Sequence, residues 1–200
     1  MKTKKYRPED IGLIKERLWK GEIIAFPTDT VFGLACIYDD EGAVEKIYEA
    51  KGRSLSKALP MMCFDKDMTG KYTVLDEKSS KLMDVFSPGA MTFILDKREN
   101  CGHLDNGFST IAVRIPDDAW IRELIKETGK PLLVTSANLS NTASLKYWKD
   151  VLEELDGKID GIVMKDAESE ISSTIVDARN ELKILRIGEI KEEEIRKVLS

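Results

Sequence analysis

Apolar side chains recur along the chain with the two spacings that distinguish helices from strands. Residues 8–19 begin with a proline and then place apolar residues three and four positions apart, a pattern that predicts a helix. Residues 22–27 follow as a short apolar run between a glycine and a proline, which favours a buried strand. Asp40 is placed to cap a second helix that runs into Lys51.

Strand and helix patterns alternate through the rest of the chain. Apolar runs predict strands at residues 59–64, 91–95, 110–115, 132–135, 161–164, 174–176 and 182–186. Helical spacing predicts helices at residues 79–86, 117–127, 145–155 and 189–199. Asp117 is placed to cap the second of these four helices. Interleaved strands and helices predict an α/β fold with a twisted mixed sheet and flanking helices, and residues 1–200 are expected to form a single domain.

Composition narrows the class of protein. No segment approaches the roughly 20 apolar residues that a membrane span needs, and charge follows the basic start of the chain, so we expect no signal peptide and no membrane contact. Cys36, Cys63 and Cys101 are odd in number and widely spaced, which predicts reduced thiols in a cytoplasmic protein. The net charge of -5 argues against a broad surface for nucleic acid but permits a local basic groove.

Several familiar catalytic motifs are absent from the sequence. It contains no phosphate-binding P-loop, no dinucleotide fingerprint, no zinc-protease helix motif and no nucleophile elbow. His103 is the only histidine, so we predict no histidine-based zinc cluster, and we name no protein metal ligands. An enzyme with this sequence is expected to act by positioning and electrostatics.

A basic segment and a threonine-rich turn could each bind a ligand. Residues 51–60, KGRSLSKALP, contain Lys51, Arg53 and Lys57 and no carboxylate. These cations could bind a polyphosphate, or they could be a solvated run of charge at the C-terminal end of a helix. Residues 27–34, PTDTVFGL, follow a predicted strand, where open α/β sheets bind ligands. The alternative is an ordinary turn whose hydroxyl and carboxylate groups bond their own backbone.

Two further segments place polar groups on strands or at strand ends. In STIAVRIP, residues 109–116, alternation turns Thr110 and Arg114 to the same face. A buried arginine requires an anion, which is either a ligand carboxylate or an Asp or Glu of the protein. In LVTSANLS, residues 133–140, hydroxyl and amide groups follow a strand, while Ser144 beyond it could equally cap the helix at residues 145–155.

Taken together, six segments resemble the YrdC/TsaC family in order and spacing, over about residues 8–190: PTDTVFGL, KGRSLSKAL, STIAVR, TSANLS, SSTIVD and ILRIG. The resemblance implies a threonylcarbamoyl-AMP synthase, which joins L-threonine, bicarbonate and ATP, with Mg²⁺ accompanying ATP, into threonylcarbamoyladenylate and pyrophosphate. It also implies a twisted α/β sheet with an electropositive concave face. Downstream proteins would transfer the product to adenosine 37 of tRNA, and direct contact with tRNA or duplex RNA is possible.

The same resemblance implies roles for particular residues. Lys51 and Arg53 would hold the ATP phosphates and act in catalysis. The threonine-binding residues would be Thr30, Met62, Arg114 and Ser173. The nucleotide-binding residues would be Arg53, Lys57, Thr110, Ser136, Asn138, Ser144 and Arg186.

Five positions depart from the family pattern, and they leave alternatives open. These are Phe32 for Tyr, Ser54 and Ala58 for Pro, Met62 for His, and Asn141 for Gly. The segment at residues 61–63 is similar to the paralogous YciO group, although that group usually lacks the SAN sequence present here. The alternatives are a YciO-like paralogue, a related enzyme that acts on another amine, and an RNA-binding module without threonine-dependent adenylation.

Overall fold

The computed structural model describes residues 2–99 and 108–199, so Cys101 and His103 lie outside the described residues. Within these ranges the chain forms one sheet of ten strands and seven α-helices, preceded by a 3-10 turn at Pro8–Asp10. The strands are β1 (Lys4–Tyr6), β2 (Ile24–Phe26), β3 (Gly33–Ile37), β4 (Met61–Met62), β5 (Met91–Asp96), β6 (Thr110–Arg114), β7 (Leu132–Ser136), β8 (Gly161–Val163), β9 (Thr174–Asp177) and β10 (Lys183–Arg186). The helices are α1 (Ile11–Leu18), α2 (Glu41–Lys51), α3 (Lys66–Tyr72), α4 (Glu77–Phe86), α5 (Ala119–Thr128), α6 (Trp148–Leu155) and α7 (Glu192–Leu199).

The sheet is mixed, as the alternation of strands and helices predicted. Its strand order is β1-β8-β2-β3-β7-β4-β6-β5-β9-β10. β8 runs parallel to both β1 and β2, whereas β3 is antiparallel to β2 and β7. Because strands distant in sequence are neighbours in this order, segments from both halves of the chain meet in the middle of the sheet.

Helices cover the two faces of the sheet unequally. α1 and α5 pack on one face against alternate strand residues such as Ile24 and Phe26. α2, α4, α6 and α7 pack on the other face against residues of opposite alternation, such as Ala25. α1 and α5 cover the first face near β2, β3 and β7, and Met68 of α3 also packs there. The cavity described below opens on the same face, where residues of β5, β6 and β9 form part of its lining.

Helix ends follow local sequence signals, with two corrections. Asp40 caps α2 by accepting a hydrogen bond from the N–H of Ala43, as predicted, and Gly52 ends the helix in a left-handed conformation. Asp118, and not Asp117, caps α5. α6 begins at Trp148, three residues later than expected, so the helix-capping interpretation of Ser144 is wrong.

Three elements were missing from the sequence prediction. These are β1, β3 and α3. β3 is the most important of them, since it follows the PTDT turn directly and pairs with β2 and β7 at the centre of the sheet. Among the described residues, no helix is long and apolar enough to cross a membrane.

Candidate active site

A cavity of about 350 Å³ opens on the less covered face of the sheet. Its wall brings together all six segments that the sequence singled out. Eight of the twelve predicted site residues line it: Thr30, Arg53, Met62, Arg114, Ser136, Ser144, Ser173 and Arg186. Three of these are arginines, and no Asp or Glu is among the described lining residues, so the cavity is suited to anionic ligands.

Arg114 is the most buried of the three arginines, with 4% of its surface exposed. It donates hydrogen bonds to Asp29 Oδ2 at 2.6 Å, to Thr30 Oγ1 at 2.7 Å and to the carbonyl of Gly89 at 2.9 Å. The protein therefore supplies the anionic partner that the sequence required, in the form of Asp29. Burial lowers the pKa of Arg114, and Asp29 opposes that shift. Burial likewise raises the pKa of Asp29 against the opposing effect of Arg114.

Arg186 approaches the same end of the cavity from the edge strand β10. Its guanidinium donates to the carbonyl oxygen of Ser173 at 2.8 Å and 3.0 Å, and to the hydroxyl of that residue at 3.2 Å. Burial lowers the pKa of Arg186, and the positive charge of Arg114 lowers it further. Two like charges close enough to interact are stabilised by an anion bound near both.

Arg53 lines the cavity from the loop after α2. Its guanidinium donates to the carbonyls of Lys57 at 3.1 Å and Ala58 at 2.9 Å, which holds the loop closed on itself. Burial lowers the pKa of Arg53. The side chain is half-buried and contributes to the cavity wall, so it combines a loop contact with a position beside the ligand space.

Lys51 lies behind the cavity wall and does not line the cavity. It is 2% exposed, and its ammonium group donates to the backbone carbonyls of Ser136 and Asn138. Burial, with a smaller contribution from Arg53, lowers the pKa of Lys51 to about 8. Lys51 thus ties the end of α2 to the segment after β7. Its contact with phosphate stays a prediction.

Three other predicted residues also lie outside the cavity lining. Lys57 is exposed, and its ammonium donates to Asn141 Oδ1 at 3.0 Å, linking the basic loop to the segment after β7. Asn138 is buried, and its side-chain amide donates to the carbonyls of Leu139 and Thr142. Thr110 begins β6 on the side predicted from alternation, but too far along the strand to reach the cavity wall.

The sequence analysis missed several polar groups of the cavity. Thr92 Oγ1 lies 2.8 Å from Ser173 Oγ, and Ser172 Oγ lies 3.4 Å from Ser144 Oγ. Alternation along β5 could have identified Thr92, since its neighbours Met91 and Phe93 point into the core. Ser172 precedes β9 and has no comparable periodic signal.

The cavity offers little to a metal ion on its own. Among residues 2–99 and 108–199, no group of three or more His, Cys, Asp or Glu side chains could hold one. Hydroxyl groups and arginines dominate the polar part of the wall.

Comparison with known proteins gives consistent matches. A family model for Sua5, YciO and YrdC, described as telomere recombination, matches residues 16–188. The chain is 37% identical over 190 residues to a threonylcarbamoyl-AMP synthase of Bacillus subtilis (strain 168), covering 91% of this chain and 54% of that protein. It is 34% identical over 180 residues to a threonylcarbamoyl-AMP synthase of Vibrio vulnificus (strain YJ016), covering 88% of this chain and 96% of that one.

A solved structure has the same architecture. The crystal structure of P. abyssi Sua5 complexed with L-threonine superposes with a TM-score of 0.90 at 30% identity, covering 98% of this chain. This chain spans 60% of the length of that protein and about half of the B. subtilis relative.

Proposed function

Because the chain belongs to the Sua5/YciO/YrdC family, we propose that it is a threonylcarbamoyl-AMP synthase, a nucleotidyltransferase that acts in the cytoplasm in the modification of tRNA. It would join L-threonine, bicarbonate and ATP, and release pyrophosphate. The observation that carries this proposal is the meeting of six distant segments around one cavity lined by three arginines and free of described carboxylates.

Electrostatics explains why this reaction needs such a cavity. ATP carries about four negative charges, and the attacking carbamate adds another, so two anions must approach each other before a bond forms. Arg114 and Arg186 lie close enough for their charges to interact, and Arg53 reaches the cavity wall from the loop after α2. We assign the phosphates to Arg53 and the amino acid to the pair formed by Arg114 and Arg186. Mg²⁺ would enter as part of the MgATP substrate.

The chemistry proceeds in two steps that the cavity keeps together. The neutral amine of threonine attacks bicarbonate and becomes a carbamate, and one molecule of water leaves. A carbamate oxygen then attacks the α-phosphorus of ATP, and the bond to the pyrophosphate leaving group breaks. Holding both reactants in one enclosed volume raises their effective concentration and protects the carbamate from water.

The remaining lining residues are assigned by their position in the wall. Thr30 accepts a hydrogen bond from Arg114, Met62 is the strand partner of Arg114, and Ser173 accepts from Arg186, so these three residues are assigned to the amino acid. Ser136 and Ser144 are assigned to the nucleotide, as the family resemblance implies. Lys51 and Asn138 would act from behind the wall by holding the segment after β7, and Lys57 and Thr110 would contact the nucleotide only if it extends beyond the cavity.

The test is a pyrophosphate-release assay with purified protein. We expect release only when L-threonine, bicarbonate and ATP are all present, and formation of an adduct with the mass of threonylcarbamoyladenylate. A folded protein that releases no pyrophosphate with threonine refutes the proposal. A panel of other amines then identifies a related enzyme, and tight, salt-dependent binding to tRNA without ATP identifies an RNA-binding module.

A further inference from the structure

Asn141 connects two parts of the cavity wall, one from the basic loop (residues 52–58) and one from the end of β7 and the segment that follows it. Its Oδ1 accepts a hydrogen bond from the ammonium group of Lys57 at 3.0 Å. The basic loop contributes Arg53 to the cavity lining, and the end of β7 contributes Ser136. The contact between Lys57 and Asn141 therefore joins two segments that both bound the ligand space.

The main chain of Lys57 holds the guanidinium of Arg53. The carbonyl oxygen of Lys57 accepts from Arg53 Nε at 3.1 Å and from the hydroxyl group of Tyr48 at 3.0 Å. The next carbonyl, that of Ala58, accepts from the same guanidinium at 2.9 Å. Since the side chain of Lys57 contacts Asn141, a displacement of Lys57 would also displace the guanidinium that lines the cavity.

The backbone of Asn141 is left-handed, with a φ of 69°, and among the described residues it is the only one other than glycine with a positive φ. It occupies the third position of a turn in which the N–H of Thr142 donates to the carbonyl of Leu139 at 3.3 Å. Glycine is favoured at a left-handed turn position, because a side chain raises the conformational energy there, and asparagine is among the residues that tolerate it. The contact with Lys57 gives a physical reason for a side chain at this position.

The start of the basic loop is held by buried contacts, in contrast to its far end. The ammonium group of Lys51 donates to two backbone carbonyls of the neighbouring segment, and the carbonyl of Lys51 accepts from the N–H of Ser140 at 2.9 Å. Lys57 and Asn141 are both exposed. The buried contacts therefore keep the two segments together, and the exposed contact can set the position of the loop without being needed for the fold.

We propose that Asn141 is a positioning residue for the nucleotide, which acts through Lys57 to hold the basic loop, and with it the guanidinium of Arg53, in the geometry that receives the phosphates. The proposal rests on the proposed function, because that function assigns the phosphates to Arg53. Asn141 is not among the described lining residues of the cavity. A loop that is already held in place loses less conformational freedom when the ligand binds, so the contact increases the affinity for the nucleotide and leaves that for the amino acid unchanged.

Asn141→Gly removes the side chain and suits the backbone. Glycine adopts the left-handed conformation without a steric penalty, so we expect a urea midpoint close to that of wild type. The Kd for ATP in calorimetry and the KM for ATP in the pyrophosphate assay should each rise about fivefold, because the bond that holds the loop is lost. The KM for L-threonine should stay within about twofold of wild type. An unchanged Kd for ATP, or an equal rise in KM for both substrates, would overturn the proposal.

A double-mutant cycle separates this contact from a general loosening of the turn. Lys57→Met already lacks the donor, so adding Asn141→Gly to it should raise the Kd for ATP no further. If Asn141→Gly raises that Kd by the same factor in wild type and in Lys57→Met, then glycine acts through backbone flexibility, and the positioning role is refuted.

Hydrogen exchange measures the position of the loop without any substrate. Asn141→Gly and Lys57→Met should each increase deuterium uptake in residues 52–58, and the double variant should take up no more than either. Asn141→Asp keeps an oxygen acceptor at the same place and should exchange like wild type. Should wild type neither release pyrophosphate nor bind ATP, the proposed function fails, and this comparison still decides the role of Asn141. Uptake in Asn141→Gly equal to that of wild type would show that Asn141 does not hold the loop.

Discussion

Lys51 supplies the sharpest test of how the cavity wall is built. The replacement Lys51→Met keeps most of the length and apolar character of the side chain but removes the ammonium group. That group donates to the carbonyls of Ser136 and Asn138 in the fold, and the two oxygens lose this donor in the variant. Leaving buried acceptors without a donor costs about 1–3 kcal/mol, so we expect lower stability at neutral pH.

The pH dependence of this loss follows from the pKa of Lys51. Burial and the charge of Arg53 lower that pKa from 10.5 to about 8. Between these values the unfolded chain still binds a proton that the folded chain has released, so raising the pH favours the folded state. At about 1.4 kcal/mol per pKa unit, the stability of wild type relative to Lys51→Met should rise by roughly 3 kcal/mol between about pH 7 and pH 10.5.

Urea denaturation over this pH range measures the difference directly. Lys57→Met is the matched control, because Lys57 lies on the neighbouring loop but is exposed. This control reports the effect of removing an exposed ammonium group from the same region. If the free energies of unfolding of Lys51→Met and wild type differ by the same amount from neutral to alkaline pH, then the pKa of Lys51 is not lowered in the fold. The placement of this lysine behind the cavity wall would then be wrong.

Three further variants test separate parts of the structure. Arg53→Ala should raise the Kd for ATP about tenfold in calorimetry because a charge-assisted contact is lost, while the urea midpoint stays close to that of wild type. An unfolded protein, or unchanged ATP binding, would contradict the assignment of Arg53 to the phosphates. Asp40→Ala removes the hydrogen bond to the N–H of Ala43 and should lower the free energy of unfolding in urea by about 1 kcal/mol without changing pyrophosphate release. A loss of activity at unchanged stability would show that Asp40 is more than a structural cap. Gly33→Ala would place a Cβ 2.8 Å from Val134 Cγ1, so a loss of about 1–3 kcal/mol is expected, and an unchanged midpoint would show that this wall is not tightly packed.

Periodicity in the sequence predicted most elements because most of them bury one regular face. α5 illustrates this, since its buried residues recur at helical spacing and its end at Gly129 has a left-handed conformation. β6 followed the predicted alternation, with Val113 in the core and Ala112 and Arg114 at the cavity. In both elements the local pattern and the tertiary environment agree.

The missed elements depend on partners distant in sequence. β1 contains two exposed lysines and buries only Tyr6, and it is a strand because it pairs with β8 more than 150 residues later. β3 starts at Gly33, a residue with low strand propensity, directly after a turn. α3 is short and carries polar residues, so its sequence lacked the apolar spacing that marks a longer helix.

The site was predictable as a set of segments but not as a set of contacts. Order and spacing brought out eight of the residues that line the cavity, whereas burial separated Lys51 from Arg53 although they are two positions apart. The pairing of Arg114 with Asp29 joins residues 85 positions apart, and the sequence could only require some anion there.

The most direct test of whether one cavity holds both substrates is a crystal structure of the protein with L-threonine and a non-hydrolysable ATP analogue bound together. We predict both ligands in the cavity of about 350 Å³, with phosphates beside Arg53, the amino-acid carboxylate beside Arg114 and Arg186, and the amine close enough to the α-phosphorus for one carbamate to bridge them. Ligands on separate surfaces, or a nucleotide in the cavity that leaves no room for the amino acid, would contradict it.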